Sequence, residues 1–133
     1  MLSTPNAASL ALIRRGEVLL IKRAYAPYRA LWTLPGGRTE PDESAKDCAI
    51  REIMEELGLQ VMALQEVEVQ DLKSASGDWR LAVFVSDAFE GDIQPSDEIA
   101  EYRWVALEEV RDLRTTSRLH DVLAKAFAMV PAQ

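Results

Sequence analysis

Apolar and polar positions divide this chain of 133 residues into two kinds of segment. Short runs rich in aliphatic and β-branched residues read as strands, and longer stretches repeat their apolar residues at helical spacing. Residues 9–13 and 18–23 are such runs, separated by Arg14-Arg15-Gly16-Glu17, and they predict a hairpin. Residues 61–72 and 79–89 predict two more strands joined near Ser74-Ala75-Ser76-Gly77-Asp78, and residues 102–106 another. Ala45, Ala49, Ile53 and Leu57 recur every four residues with no Gly or Pro between them, which predicts a helix over 45–57. A short helix is expected over 107–113. Residues 117–129 predict an amphipathic helix, with Leu119, Val122, Leu123, Ala126 and Phe127 on one face and Ser117 as its N-cap. Helices on a mixed sheet, an α/β fold, follow from this order.

The polar side of the helix over 45–57 changes the picture. Glu52, Glu55 and Glu56 stand at i, i+3 and i+4, so the three carboxylates project within about one turn of each other. Like charges this close destabilise a helix unless a cation offsets them, and clustered hard oxygens suit Mg²⁺ or Mn²⁺. A run of glutamates is otherwise a solvated helix face. Glycines bracket the segment. Pro35-Gly36-Gly37 can turn tightly and bring bare backbone to a metal or phosphate, and Gly58 sits where a C-cap is expected. The result is a loop, a helix and a loop, with Glu43 just ahead of the helix and Arg51 placed to orient the carboxylates.

The spacing Gly37, Glu43, Arg51-Glu52-Ile53, Glu55-Glu56, Gly58-Leu59 resembles the box of the Nudix (MutT-like) hydrolases at every defined position. That resemblance covers residues 37–59, and the flanking strand pattern extends it to most of the chain. It implies an α/β/α sandwich with a mixed sheet and a loop-helix-loop catalytic motif. It also implies hydrolysis of a nucleoside diphosphate linked to another group, by water attack on phosphorus with Mg²⁺ or Mn²⁺. Carried over by position, Glu52, Glu55 and Glu56 would bind metal with the Gly36 carbonyl as a further ligand. Glu43 and Arg51 would fix the loop and helix.

The residue types agree with such chemistry, because cations offset the charge that repels a nucleophile from a pyrophosphate, and catalysis is then mainly electrostatic and positional. No covalent nucleophile stands out. Cys48 and His120 lie on different predicted helices; Cys48 reads as a small, partly buried thiol and His120 as a surface or packing residue. A general base need not lie in the box. In the resembling enzymes a glutamate in the loop before the last strand often completes the metal site or activates water. Glu98 matches best, with Glu101 and Asp97 behind it; the other reading of this loop is a solvated acidic segment.

Length and 48% hydrophobic content fit one domain over residues 1–133 with a proper core. The apolar stretch 7–13 is too short for a membrane span and has no basic residue before it, against a secretory signal. One cysteine makes no internal disulfide, so a cytoplasmic setting is expected, with no membrane partner and a monomer or homodimer as the assembly. A net charge of −7 disfavours a nucleic-acid polymer as partner. Residues 1–38 nevertheless hold six basic side chains against Glu17 alone, while the remainder holds nine basic and 21 acidic residues. Basic groups ahead of an acidic metal cluster can hold an anionic nucleotide against it. Arg23, at a strand end, is the leading phosphate contact, with Arg38 beside it; solvated strand ends are the alternative.

Tyr25, Tyr28 and Trp32 precede the Pro-Gly-Gly turn, where exposed rings can stack on a base, although rings in such a loop also pack it down. Trp104 is expected in the core and Trp79 fits either setting. Residues 74–77 contain neither the proline associated with ADP-ribose hydrolases nor the tyrosine associated with dinucleoside polyphosphate hydrolases, and the coenzyme A and NADH signatures are missing. Residues 31–37 resemble small bacterial enzymes acting on nucleoside triphosphates or ADP-sugars. Two functions follow: a metal-dependent pyrophosphohydrolase, or a catalytically silent nucleotide sensor on the same fold.

Overall fold

A computed structural model describes residues 4–25, 30–74 and 77–131. Its centre is strand β1 (Ala7–Arg14), which is buried on both faces. Ala8, Leu10 and Leu12 point into one apolar cluster, while Ala11 and Ile13 point into another. Alternation does the same for β2 (Glu17–Arg23), whose Leu19 and Ile21 join the first cluster and whose Val18 and Leu20 join the second. Two-sided burial explains why these runs are apolar at consecutive positions rather than at every second one.

Pairing makes the sheet mixed. β1 runs parallel to β6 (Gly77–Glu90) from Ala7↔Leu81 to Leu12↔Ser86, and the other pairings between strands of the described residues are antiparallel. The other edge of β1 changes partner along its length. Residues 7–9 pair with β4 (Gly36–Arg38), whereas Ile13 and Arg14 pair with β2. Between β4 and the end of β2 the sheet therefore splays. β3 (Trp32–Thr33) and β7 (Ile99–Val105) flank β2, and β5 (Gln60–Ser74) pairs along β6.

Helix α1 (Ala45–Leu57) covers one face through Cys48, Ala49, Ile53 and Leu57. Helix α2 (Leu119–Met129) covers the other through Leu119, Val122, Leu123 and Ala126. The expected sandwich of helices around a mixed sheet is what forms. α1 has the predicted limits: Ser44 caps it by accepting from the Asp47 N–H at 3.1 Å, and Gly58 ends it with φ 72° and an N–H bonded to Met54 O at 3.0 Å. Gly58 takes this left-handed conformation without a Cβ penalty. Among the described residues, no helix is long and apolar enough to cross a membrane.

Three elements differ from expectation. Ser117 is not the N-cap of α2; the helix starts after Arg118, whose φ is 65°, with no side-chain cap. The reason is tertiary. Thr116 is tied to β3 through its N–H on Trp32 O at 3.1 Å and its hydroxyl on Thr33 Oγ1 at 3.1 Å, so the chain turns only after that attachment. The segment 107–113 is a 3₁₀ helix, Leu107–Asp112. β3 and β4 are too short to carry a readable period.

A Cβ on Gly36 would run into the backbone carbonyl of Ala8, which cannot move without shifting β1. Gly36→Ala is expected to cost roughly 2–3 kcal/mol, as overpacking against fixed backbone does. Urea unfolding reads this, and a loss below about 0.5 kcal/mol would show that β4 does not press on β1.

Candidate active site

The splay between β4 and β2 is where α1 presents its acidic residues. β4 passes so close to α1 that a Cβ on Gly37 would meet the Glu52 carboxylate. Glu56 lies deeper, only 2% exposed. Its Oε2 accepts the Gly36 N–H at 3.1 Å, and its Oε1 has no hydrogen-bond partner among the described residues. Arg23 approaches from the end of β2, with Nη1 3.7 Å from Glu56 Oε1 and Nη2 donating to the Gly36 carbonyl at 3.2 Å. Burial pushes the Glu56 carboxyl up to about 8, against the pull of Arg23 and the Gly36 N–H; Glu52 and Glu98 add to the rise. Glu52 is raised as well, chiefly by burial, with Arg51 opposing and the charges of Glu55 and Glu98 reinforcing.

Arg51 organises the outer half of the cluster. Its Nε and Nη2 grip the two oxygens of Glu43 at 2.8 and 2.9 Å, and Nη2 also donates to Arg38 O at 3.0 Å. Nη1 donates to Glu52 Oε1 at 3.0 Å and to the Glu55 carboxylate at 3.1 and 3.2 Å. The Arg51 hydrogen bond, followed by the Glu40 N–H, holds the Glu43 carboxyl down at about 2. The reciprocal bond to Glu43 raises the Arg51 guanidinium further.

The loop ahead of β7 is tied to α1 through Gln94 N on Leu57 O at 2.7 Å and Ser96 N on Glu56 O at 2.8 Å. It is tied to β2 through Ala24 N on Glu98 O at 2.9 Å. Glu98 is thus exposed yet within electrostatic reach of Glu52 and Glu56. Glu101 instead pairs with Lys22 at 3.6 Å. The supporting contacts of Glu40 and Ser96 went unanticipated, since an isolated polar residue in a loop carries no periodic signal.

Two expected substrate contacts lie elsewhere. Trp32 is 5% exposed, with the Lys22 ammonium 4.9 Å from its ring centre, so it packs β3 onto the core and offers no open face to a base. Arg38 pairs with Ala7, on the opposite face of β1 from Ala8, and its guanidinium lies 4.1 Å over the Trp79 ring. Alternation along β6 puts Trp79 with Leu81 and Val83 on the α2 side. Arg38 therefore points away from the carboxylates. Tyr25 is 64% exposed, and Tyr28 lies outside the described residues. Trp104 packs partly buried against the α1-side cluster, stacked on Phe89 at 6.3 Å. Cys48 is fully buried, and desolvation pushes its thiol up to about 11, which makes it inert. His120 is half-buried on α2.

Among the described residues, no three acidic, His or Cys side chains are gathered closely enough to enclose an ion as they stand. Arg51 Nη1 bridges two of the carboxylates. The donors nonetheless suit a hard divalent cation: three carboxylates, a backbone carbonyl beside them, and a buried Glu56 oxygen without a partner.

A loop-helix-loop that sets Glu52 and Glu56 against a glycine-rich strand, with Glu55 beside them on Arg51, inside an α/β/α sandwich, defines a class. The chain belongs to the Nudix family, whose NUDIX domain model matches residues 3–126. It is 31% identical over 120 residues to the ADPR responsive transcriptional repressor NtrR of Acinetobacter baylyi, covering 84% of this chain and 47% of that one. It is likewise 31% identical over 99 residues to the ADP-ribose pyrophosphatase of Methanocaldococcus jannaschii, covering 73% of this chain and 59% of that protein. The chain thus spans about half the length of these curated relatives. The crystal structure of a MutT NUDIX hydrolase from Burkholderia pseudomallei superposes with a TM-score of 0.83 at 29% identity, over 93% of this chain and 98% of that one.

The Glu56 environment sets a pH dependence. The folded, metal-free protein holds a proton on Glu56 up to about pH 8, which the unfolded chain releases near 4.5. Folding therefore takes up a proton in this window, and stability falls as pH rises through it, by up to a few kcal/mol. Glu43 acts in the opposite sense, and only between about pH 2 and 4.5. Urea unfolding at pH 6 and pH 9 without metal is expected to show the loss in the wild type and a much flatter profile in Glu56→Gln. Parallel profiles would rule Glu56 out as the titrating group.

Proposed function

We propose that this protein is a metal-dependent pyrophosphohydrolase that cleaves a nucleoside diphosphate linked to another group, such as a nucleoside triphosphate or an ADP-sugar. The observation that carries this reading is the buried Glu56 oxygen that accepts no hydrogen bond among the described residues, set beside Glu52, the Gly36 carbonyl and Arg23. A carboxylate in the interior that its surroundings compensate only in part is costly to keep, and a site for a divalent cation gives it a use. Glu52, Glu55, Glu56 and the Gly36 carbonyl would hold Mg²⁺ or Mn²⁺. When bound, such an ion offsets phosphate charge and makes an attacking water more acidic.

The chain's own groups supply the rest. Arg23, half-buried and aimed at the cluster, donates to a phosphate oxygen and orients the diphosphate. Glu98, on a loop anchored to both α1 and β2, accepts the proton of the attacking water. Glu43 and Arg51 fix the loop before α1 against the helix. The partner is a small nucleotide, in keeping with the chain's negative charge, and the setting we infer is the cytoplasm.

A second reading, a silent nucleotide sensor, draws on the similarity to the ADPR responsive repressor. All the box glutamates are in place here, which favours turnover. Nucleoside monophosphate release from a panel of nucleoside triphosphates, ADP-sugars and ADP-ribose separates the two. With Mg²⁺ or Mn²⁺ at neutral to alkaline pH at least one substrate is expected to turn over, and EDTA is expected to abolish the activity. Binding without product under all conditions would favour the sensor.

Two substitutions test the roles. Glu56→Gln is expected to lower kcat/KM by roughly a hundredfold or more with the fold retained. Glu98→Gln is expected to cut kcat by about a hundredfold with KM little changed, as loss of a general base does, while Glu101→Gln, whose partner is Lys22, does much less. Wild-type kcat in Glu98→Gln, alongside inactive Glu52→Gln, would move the base into α1.

A further inference from the structure

Arg51 faces four carboxylates, and its donors are divided between them unequally. The edge formed by Nε and Nη2 is committed: it grips both oxygens of Glu43 and takes the Arg38 carbonyl as well. Nη1 has two protons, yet three oxygens of Glu52 and Glu55 lie within 3.2 Å of it. A fourth carboxylate, Glu40, waits at 3.6 Å. Exposure follows the same division. Glu43 and Glu52 are 14% and 15% exposed, whereas Glu55 and Glu40 are 55% and 63% exposed. Exchanging exposed Glu55 for exposed Glu40 at Nη1 therefore changes the energy little, whereas the part-buried Glu52 is released only to a cation that replaces the guanidinium charge.

The bridge also settles two other observations. Glu52 and Glu55 would repel each other one turn apart on α1, and a guanidinium nitrogen between them offsets that charge. While it does so, the carboxylates are turned toward Arg51 and do not gather around an ion.

We propose that Arg51 Nη1 is a built-in stand-in for the divalent cation: it holds Glu52 and Glu55 in the metal-free protein and passes to Glu40 when a cation takes those carboxylates. This deepens the metal-site reading above and rests on it. Arg51 is then a positioning residue whose planar guanidinium is fixed by its edge on Glu43, so the carboxylates exchange at Nη1: Glu52 and Glu55 turn to the cation and Glu40 closes from 3.6 Å. Metal affinity is lowered by the competition, and α1 is kept from charge repulsion when no metal is present.

The test is metal binding rather than turnover. Mn²⁺ titration by calorimetry is expected to give a dissociation constant about tenfold lower in Arg51→Gln than in the wild type, because the competing charge is gone. The melting temperature of the metal-free variant is expected to fall, and the rise on adding saturating Mn²⁺ to be larger than in the wild type. If Arg51 merely supports the ligands, the variant binds Mn²⁺ more weakly, and the proposal is overturned while the metal site stands. If the wild type binds no Mn²⁺, both readings fail. The wild type alone gives a second measurement that does not depend on the variant folding. On adding Mg²⁺, the Arg51 Nε–Hε resonance is expected to stay protected on Glu43 while the Nη1 resonances shift. Nη1 resonances unmoved at saturating Mg²⁺ would overturn the stand-in role.

Discussion

The interior position of Glu56 is the constraint on which the rest of the site depends. A carboxylate 2% exposed needs compensation from its surroundings, and here it comes from backbone and from one strand end. The Gly36 N–H takes one oxygen, and the Arg23 guanidinium stands off the other without a hydrogen bond. For the backbone to come that near, β4 has to be bare on both sides: a Cβ on Gly37 would meet the Glu52 carboxylate of α1, and one on Gly36 the Ala8 backbone of β1. For Arg23 to come that near, the end of β2 has to diverge from β4, and it does so because β1 changes partner between residues 9 and 13. The splay of the sheet and the burial of a charge are two sides of one arrangement.

That arrangement leaves the charge undercompensated, and burial raises the Glu56 carboxyl in consequence. A structural ion pair would lower a carboxyl instead, as Arg51 does for Glu43. The two glutamates belong to one segment, residues 37–59, yet their environments are opposite: Glu43 is held by Arg51 and the Glu40 N–H, whereas Glu56 retains electrostatic demand. Structural support and electrostatic demand separate along one loop-helix segment.

Much of this was legible in the chain. The limits of α1, its glycine C-cap, the first hairpin, the long pair β5 and β6, and the layering of helices on a mixed sheet all follow from period and punctuation, because those elements bury a regular face. The spacing of the glutamates likewise showed which groups share a surface. What the chain did not show was side-chain direction at the sheet's irregular places. Arg38 and Gly37 are adjacent, so they face opposite sides of a strand only three residues long, and the strand itself was not foreseen. Trp32 reads as a loop aromatic until two residues of β3 pair with β2 and turn its ring inward. Ser117 had the chemistry of a cap, but Thr116 is already bonded to β3, and that tertiary bond decides where α2 begins.

The concentration of basic residues before position 39 suggests a positive basin facing the acidic cluster, and the structure distributes it differently. Arg14 lies 4.3 Å over Trp104, Lys22 lies 4.9 Å from the Trp32 ring centre while also pairing with Glu101, and Arg38 covers Trp79. Each of these cations sits on an indole face, where it packs an edge of the sheet. Arg23 is the one of the four that turns to the carboxylates. On the function proposed above, attraction of a polyphosphate to this site would be short-ranged, carried by Arg23 and by a cation held on the glutamates, since the other three are committed to indole faces. A site built in this way would recognise a diphosphate by contact rather than by steering. A chain of net charge −7 can then take an anionic substrate without a basic surface that would also draw in nucleic acid.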